Sequence, residues 1–176
     1  MKKFITLLFL ASFGFTQAQQ AFSGKGDMKV NVGANLQNGG SGIQGSIDFG
    51  LGENFSFGFV TTYLLGVDNF NGLYGNNTVY YNDYKPEFQD RFDAKARINA
   101  NLSSVIGVEQ LDVYPGLSLG LHNFGAHVGG RYFFTDGFGV FTEIGFPIAK
   151  YGTNNDPFYH LNNQATFSLG ASFNLQ

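Results

Sequence analysis

Cysteine and tryptophan are both absent from the 176 residues. Without cysteine there is no disulfide scaffold and no thiolate metal site. Charge is scarce too: Asp, Glu, Lys and Arg together make up 13% of the chain, where a soluble domain carries about a quarter. Beyond the N-terminus no long apolar run occurs, and a mean hydropathy of −0.07 does not suit a bundle of membrane-spanning helices, each of which needs about 20 apolar residues in a row. No block of Lys or Arg interrupts an acidic balance of −3, so nucleic-acid binding has no electrostatic support. What the chain has in abundance is glycine, 25 residues, and aromatic rings, 17% of the total.

The N-terminus has the layout of a secretory signal. Met1-Lys2-Lys3 is basic, Phe4 to Phe15 is apolar, and Thr16-Gln17-Ala18 ends on a small residue suited to cleavage. Residues 1–18 are therefore expected to be a signal peptide and 19–176 the mature domain, beginning at Gln19. No cysteine stands at the cleavage point, which excludes a lipoprotein anchor. Removal of Lys2 and Lys3 leaves eight basic against 13 acidic residues.

From there apolar and polar residues alternate with period two, as strands with two unlike faces do. Met28, Val30, Val32, Ala34 and Leu36 share one face; Ile43, Ile47, Phe49 and Leu51 continue it across Asn38-Gly39, the strongest short hairpin signal. That turn places Lys29 opposite Asp48. Further strands are expected at Phe55–Leu65, Phe92–Leu102, Leu111–Leu121, Phe124–Phe134, Phe138–Ile148 and Ala165–Leu175, making eight in all. Gly52-Glu53-Asn54 and Thr135-Asp136-Gly137 fit three-residue turns with Asn54 and Gly137 left-handed. A His122-Asn123 turn sets His127 opposite Ser118, and Pro115, lacking a ladder donor, is expected to mark a bulge.

Eight strands of about ten residues, each with one continuous apolar face, match the length that crosses a bilayer at a tilt. A soluble barrel would turn its charges outward. Here the polar face carries Asn, Ser, Thr, Gly and few charges, too little for a water-facing surface and suited to a crowded lumen. The expected fold is an all-β, eight-stranded antiparallel up-and-down transmembrane β-barrel. Phe49, Phe55, Phe134, Phe138 and Phe173 fall at one end as an aromatic girdle would, and the long segments 66–90 and 149–161 fall at the other.

The run from Gly130 to Phe146, with Thr135-Asp136-Gly137 at its centre, resembles the strand-turn-strand signature of small outer-membrane barrels of the OmpA/OmpX kind, and Asp112-Val113-Tyr114-Pro115-Gly116-Leu117-Ser118-Leu119-Gly120 resembles the strand before it. The version here is most like the porin-family barrels of Bacteroidota. The resemblance covers the mature chain and implies a cell outer-membrane location with both termini periplasmic. It implies no specific activity, since such barrels include adhesins, structural proteins, conduits and subunits of larger complexes. One departure is the ending Phe173-Asn174-Leu175-Gln176, where such chains usually finish on an aromatic residue.

The inward residues form the first candidate site. Lys29 and Asp48, then Asp93, Lys95 and Arg97, then Ser118, His127, Arg131 and Glu143 all fall on the polar face. Ser118, His127 and Glu143 have the residue types of a hydrolase triad, and some eight-stranded outer-membrane barrels deacylate lipid. These three point inward, however, and a nucleophile needs substrate access and an oxyanion hole. The expected role of the set is an internal ion-pair and hydrogen-bond network, with no catalysis. Inward Gly58, Gly116, Gly120, Gly129 and Gly145 leave room for a water-filled cavity, so a narrow solute conduit is the alternative. The second candidate site is the aromatic loop carrying Phe70, Tyr74, Tyr80, Tyr81 and Tyr84, whose rigid rings suit surface contact. Asp68-Asn69-Phe70-Asn71-Gly72 lacks the full calcium-loop pattern, so no metal and no cofactor are expected. Expected partners are outer-membrane lipid, lipopolysaccharide and a protein within an outer-membrane complex.

Overall fold

A computed structural model of the chain describes residues 20–74, 79–152 and 156–175. The proposed signal segment, and the cleavage point after Ala18, lie outside them. Strands β1 (Met28–Gln37), β2 (Gly40–Gly50), β3 (Phe55–Val67), β6 (Phe92–Ala100), β7 (Leu111–Gly120), β8 (Asn123–Thr135), β9 (Phe138–Lys150) and β10 (Thr166–Asn174) close into one antiparallel barrel. Each barrel strand pairs with the next barrel strand in the chain, β3 with β6, and β1 closes on β10, which makes the up-and-down order expected from the alternation. β4 (Phe70–Tyr74) and β5 (Val79–Tyr84) form a separate two-stranded ribbon within the long segment. Two single-turn helices, α1 (Phe88–Arg91) and α2 (Ser103–Ile106), precede and follow β6.

The barrel is inside-out. Ile98 is 57% exposed and Leu119 60%, whereas Arg97 between β6 neighbours is 1% exposed and Asn99 is fully buried. Period-two alternation produces this directly: in a closed sheet one face looks into the lumen and the other away from the molecule. The five girdle phenylalanines sit exposed at the end where β1 begins and β10 finishes, here called the near end, where Phe138 pairs directly with Phe173. The far end carries the β4–β5 ribbon and the β9–β10 connection.

Most of the expected registers hold. The Asn38-Gly39 turn pairs Gln37 with Gly40 and Lys29 with Asp48, and Glu143 lies opposite Gly129. Four details differ. The β7–β8 turn is Leu121-His122, not His122-Asn123, so His127 faces Gly116 and Ser118 faces Gly125. The reason lies in Asn123, which stays in the strand and points inward, its amide donating to the carbonyl of Asn162 at 2.8 Å. Pro115 produces no bulge toward β8, where it pairs with Val128; instead the β6 ladder on its other side stops at Asn99–Gly116. At the near end, Thr135 belongs to β8 and pairs with Phe138, so the turn is Asp136-Gly137 with the extra residue taken up as a bulge before Thr135. Finally, neither Asn54 nor Gly137 is left-handed; among the described residues the non-glycines with positive φ are Asp83 and Asn162.

The inward glycines leave notches, and each is occupied. Gly58 receives Asp48, Gly116 receives His127, Gly120 receives Lys95, Gly129 receives Tyr114 and Gly145 receives Thr166, and each of these pairs is directly cross-strand. A Cβ in any of these notches would collide with the opposing side chain or its backbone. Large residues face small ones across the lumen, so these five glycines receive the side chains opposite them and leave little of the interior unfilled around them.

Candidate functional site

Arg97 occupies the middle of the lumen. From β6 it crosses to Asp48 on β2, with Nε on Oδ1 and Nη2 on Oδ2 at 2.7 Å each, while Nη1 reaches Glu143 on β9 at 2.8 Å. A planar guanidinium with five donors is the side chain best able to satisfy two carboxylates at once. Asp48 also takes the amide of Asn99 at 3.1 Å and lies 3.2 Å from Arg131 Nη2. The Arg131 contact is ionic in character, since its nitrogens meet no acceptor at hydrogen-bonding geometry among the described residues. Its face lies instead over the Tyr114 ring, 4.1 Å from the centroid, and Arg97 approaches the same ring at 5.8 Å. Both cations thus combine carboxylate and aromatic partners, an arrangement that offsets desolvation in a dry interior.

The remaining lumen charges pair locally. Lys29 binds Asp27 at 2.6 and 2.7 Å. It makes no ion pair with Asp48 despite facing it across the ladder, because Asp48 is saturated by Arg97 and the nearer Asp27 shares Lys29's face two residues away. Asp93 lies 3.3 Å from Lys95, as the spacing suggested, but Arg97 belongs to the Asp48 and Glu143 cluster.

The hydrolase triad is not assembled. His127 Nε2 lies 2.7 Å from Asn99 Oδ1; since the Asn99 amide nitrogen donates to Asp48 and Ser56, the His127 nitrogen must carry the hydrogen. Ser118 makes no hydrogen bond to His127 or Glu143. Glu143 is committed to Arg97 and, at 3.4 Å, to the amide of Gln44. The group can brace the barrel wall but has no activated nucleophile.

A segment of the chain crosses each mouth. At the near end, residues 20–27 run beneath the barrel: Phe22 is buried, Ala21 N donates to the Glu109 carbonyl at 2.6 Å, and Asp27 extends the β1–β2 ladder through Gly50. At the far end the β9–β10 connection, described from Asp156, folds across the opening as a strap. Phe158 and Leu161 pack on Leu64, and Asn162, at φ 57°, exchanges hydrogen bonds with Gln37 at 2.8 and 3.2 Å. Between the mouths lies a polar cavity of about 40 Å³ bordered by Asp93, Lys95, Ser118, His127 and Glu143, room for a few water molecules at most.

The aromatic loop is ordered by its own rings. Phe70 meets Tyr74 and Tyr81, Tyr81 meets Tyr84, and Tyr84 stacks on Phe158 of the strap at 5.7 Å. Tyr80 and its cross-strand partner Leu73 turn the other way and are exposed, Tyr80 at 67%. Asn69 and Asn71 of the calcium-like segment are spent on Asp83 at 2.6 and 2.7 Å, and no cluster able to hold a metal occurs among the described residues. A separate cleft of about 280 Å³ opens beside the strap between Asp90, His122, Tyr151, Asp156 and Tyr159. Burial pushes the Asp90 carboxyl above the usual range, and the Asp156 and Glu87 carboxylates add to the effect.

Tyr114, Asp112, Asp27, Asn99 and the amides of Gln37, Asn123 and Asn162 join the site without having been singled out in the sequence. Tyr114 and Asp112 share the inward parity of Ser118, and Asp27 shares that of Lys29, so alternation contained the signal for these three. Asn162 lies in a connection where alternation says nothing.

Comparison with solved structures supports the fold. The barrel is similar to the N-terminal β-barrel domain of Pseudomonas aeruginosa OprF, with a TM-score of 0.55 and 13% identity over 87% of this chain and all of that one. It is similar as well to a de novo designed transmembrane β-barrel, with a TM-score of 0.50 and 10% identity over 86% of this chain and 97% of the other. No curated protein matches the chain. A family model matches residues 12–175, and on that match the chain belongs to the family of unknown function DUF6646.

Proposed function

We propose that this chain is a sealed, non-enzymatic barrel of the cell outer membrane, of the OmpX-like kind found in Bacteroidota, that contributes structure and surface contact or serves as a subunit of a larger membrane assembly. The observation that carries this reading is the inversion of the wall: large apolar residues cover the outside while Arg97, Arg131, Asp48 and Glu143 are buried inside. Such a surface is stable against lipid and would aggregate in water. The near end, with its phenylalanine girdle, the start of β1 and the finish of β10, faces the periplasm in this reading, and the far end faces outward with lipopolysaccharide around it. The aromatic ribbon, bearing exposed Leu73 and Tyr80, is then the surface a protein partner meets. Residues 1–18 are the export signal.

A porin-like conduit finds less support, because the chain crosses each mouth and the cavity of about 40 Å³ between them adjoins an Arg97-centred cluster. The decisive test is membrane fractionation of the native cells followed by gel analysis of boiled and unboiled protein, with planar-bilayer recording of the purified barrel. An outer-membrane, heat-modifiable and electrically silent protein is expected. Recovery of the folded protein in the soluble periplasm would end the membrane reading, and steady single-channel conductance would replace the sealed barrel with a conduit.

A further inference from the structure

Five buried carboxylates face four cations in the described lumen: Asp27, Asp48, Asp93, Asp112 and Glu143 against Lys29, Lys95, Arg97 and Arg131. Asp27 with Lys29 and Asp93 with Lys95 balance each other in charge, the first through two hydrogen bonds and the second through a 3.3 Å contact alone, since neither Asp93 oxygen has a hydrogen-bond partner among the described residues. What is left is a central group of two guanidinium cations and three carboxyl groups, Asp48, Glu143 and Asp112, with one negative charge in excess if all three are ionised. A net charge in a closed, poorly solvated interior is strongly unfavourable, so the group must take up a cation or a proton.

The hydrogen-bond pattern singles out one of the three. Asp48 receives both forks of Arg97 as well as Asn99, and Glu143 receives Arg97 and Gln44. Both have the donor-rich surroundings of a carboxylate anion. Asp112, at the near end of β7, is fully buried and receives a single neutral donor, the Asn101 amide, on Oδ2 at 2.7 Å. Its other oxygen has no hydrogen-bond partner. The nearest cation, Arg131 on β8 directly opposite, stands 3.7 Å away and is shared with Asp48 at 3.2 Å. Tyr114 lies next along the same face of β7, and Lys29 and Asp27, already paired with each other, also stand near Asp112.

We infer that Asp112 is a neutral carboxylic acid in the folded barrel and holds the proton that balances the central cluster. With Asp112 neutral, Arg97 and Arg131 match Asp48 and Glu143 one for one. His127 is the competing place for a proton. Its ring already donates through Nε2 to a neutral amide and is flanked by carboxylates, Glu143 and Asp48, as well as by the cations Arg97 and Lys95; both carboxylates are already committed to Arg97, which leaves no free anion to hold an imidazolium. Asp112, unlike His127, does not line the polar cavity between the mouths. The consequence is a built-in sensitivity to base: raising the pH ionises a group placed between Arg131 and the Asp27–Lys29 pair that secures the near-end segment, so this end of the lumen loosens first.

The test is infrared spectroscopy of the full-length barrel folded in lipid vesicles, together with urea midpoints across pH. At neutral pH the wild type should show the carbonyl stretch of a buried protonated acid. The band should disappear in Asp112→Asn and persist in His127→Asn. In urea, Asp112→Asn should match or exceed the wild-type midpoint at neutral pH and lose the wild type's decline at alkaline pH, while Asp48→Asn should shift the midpoint markedly down. Absence of the band in the wild type would overturn the assignment, as would its survival in Asp112→Asn. An Asp112→Asn midpoint as low as that of Asp48→Asn would do the same.

Discussion

The two halves of the lumen are filled by different chemistry. Toward the near end the space holds Arg97, Arg131, Asp48, Asp112 and Tyr114, charged or aromatic groups contributed by strands of the barrel itself. Toward the far end, apart from the single Asp93–Lys95 pair, it holds neutral amides and hydroxyls: Asn35 with Ser168 at 3.0 Å, Ser168 with Gln44 at 2.8 Å, and Gln37 with Asn162 of the strap. Ion pairs are directional and costly to break, so they secure a fixed wall. Amide contacts are individually worth about 1 kcal/mol and exchange readily with water. The near half is therefore expected to set global stability, and the far half to open locally around the strap.

The strongest challenge to this contrast is Arg97→Gln, which leaves Asp48 and Glu143 buried without their shared cation. A loss of about 3–5 kcal/mol is expected, read as a fall in the urea midpoint of the heat-modifiable folded form. A loss below that of a strap mutation would abolish the distinction between the halves. Next in size is Leu161→Ala, which empties an apolar site under the strap that is 1% exposed. The transfer and cavity terms together predict about 2 kcal/mol, the low end for such a substitution because the strap can lift away. Protease cleavage within 156–165 should rise while the rest of the barrel stays resistant. The smallest effect is expected at Asp90, whose folded-state carboxyl titrates above the ordinary range. A raised acid favours folding while protonated and loses that contribution as pH rises, so Asp90→Asn should protect strap amides from hydrogen exchange better than wild type at neutral pH and equally at acid pH.

The near half was far more legible in the sequence than the far half, and for a physical reason. Period two decides which face a residue takes, so Asp48, Arg97, His127 and Glu143 were placed inward from alternation alone. Which of those residues touch depends on register and side-chain reach. Lys29 faced Asp48 as expected yet bound Asp27, because side chains two apart on one strand share a face and compete with the partner across the ladder. A slip of two residues leaves every face unchanged, which is how the β7–β8 pairing escaped the pattern while the Asn38-Gly39 hairpin did not. In the far half the strap obeys no period: Asn162 reaches Gln37 across 125 positions of sequence, and only the closed barrel brings them together. The aromatic loop stands out in the sequence by its density of rings, but the ribbon within it depends on ring packing against Phe158, which lies outside the loop.

Tyr114 seated over Gly129 has a meaning for how the barrel assembles. Were β8 to slide by two residues in either direction, Tyr114 would face Arg131 or His127 instead of a glycine, and two long side chains would contend for one place in the lumen. The hydrophobic pattern tolerates such a slip and the backbone ladder would re-form after it. The ring and its empty seat therefore act as a proofreading check on strand alignment, rejecting the misregistered sheets that alternation by itself accepts.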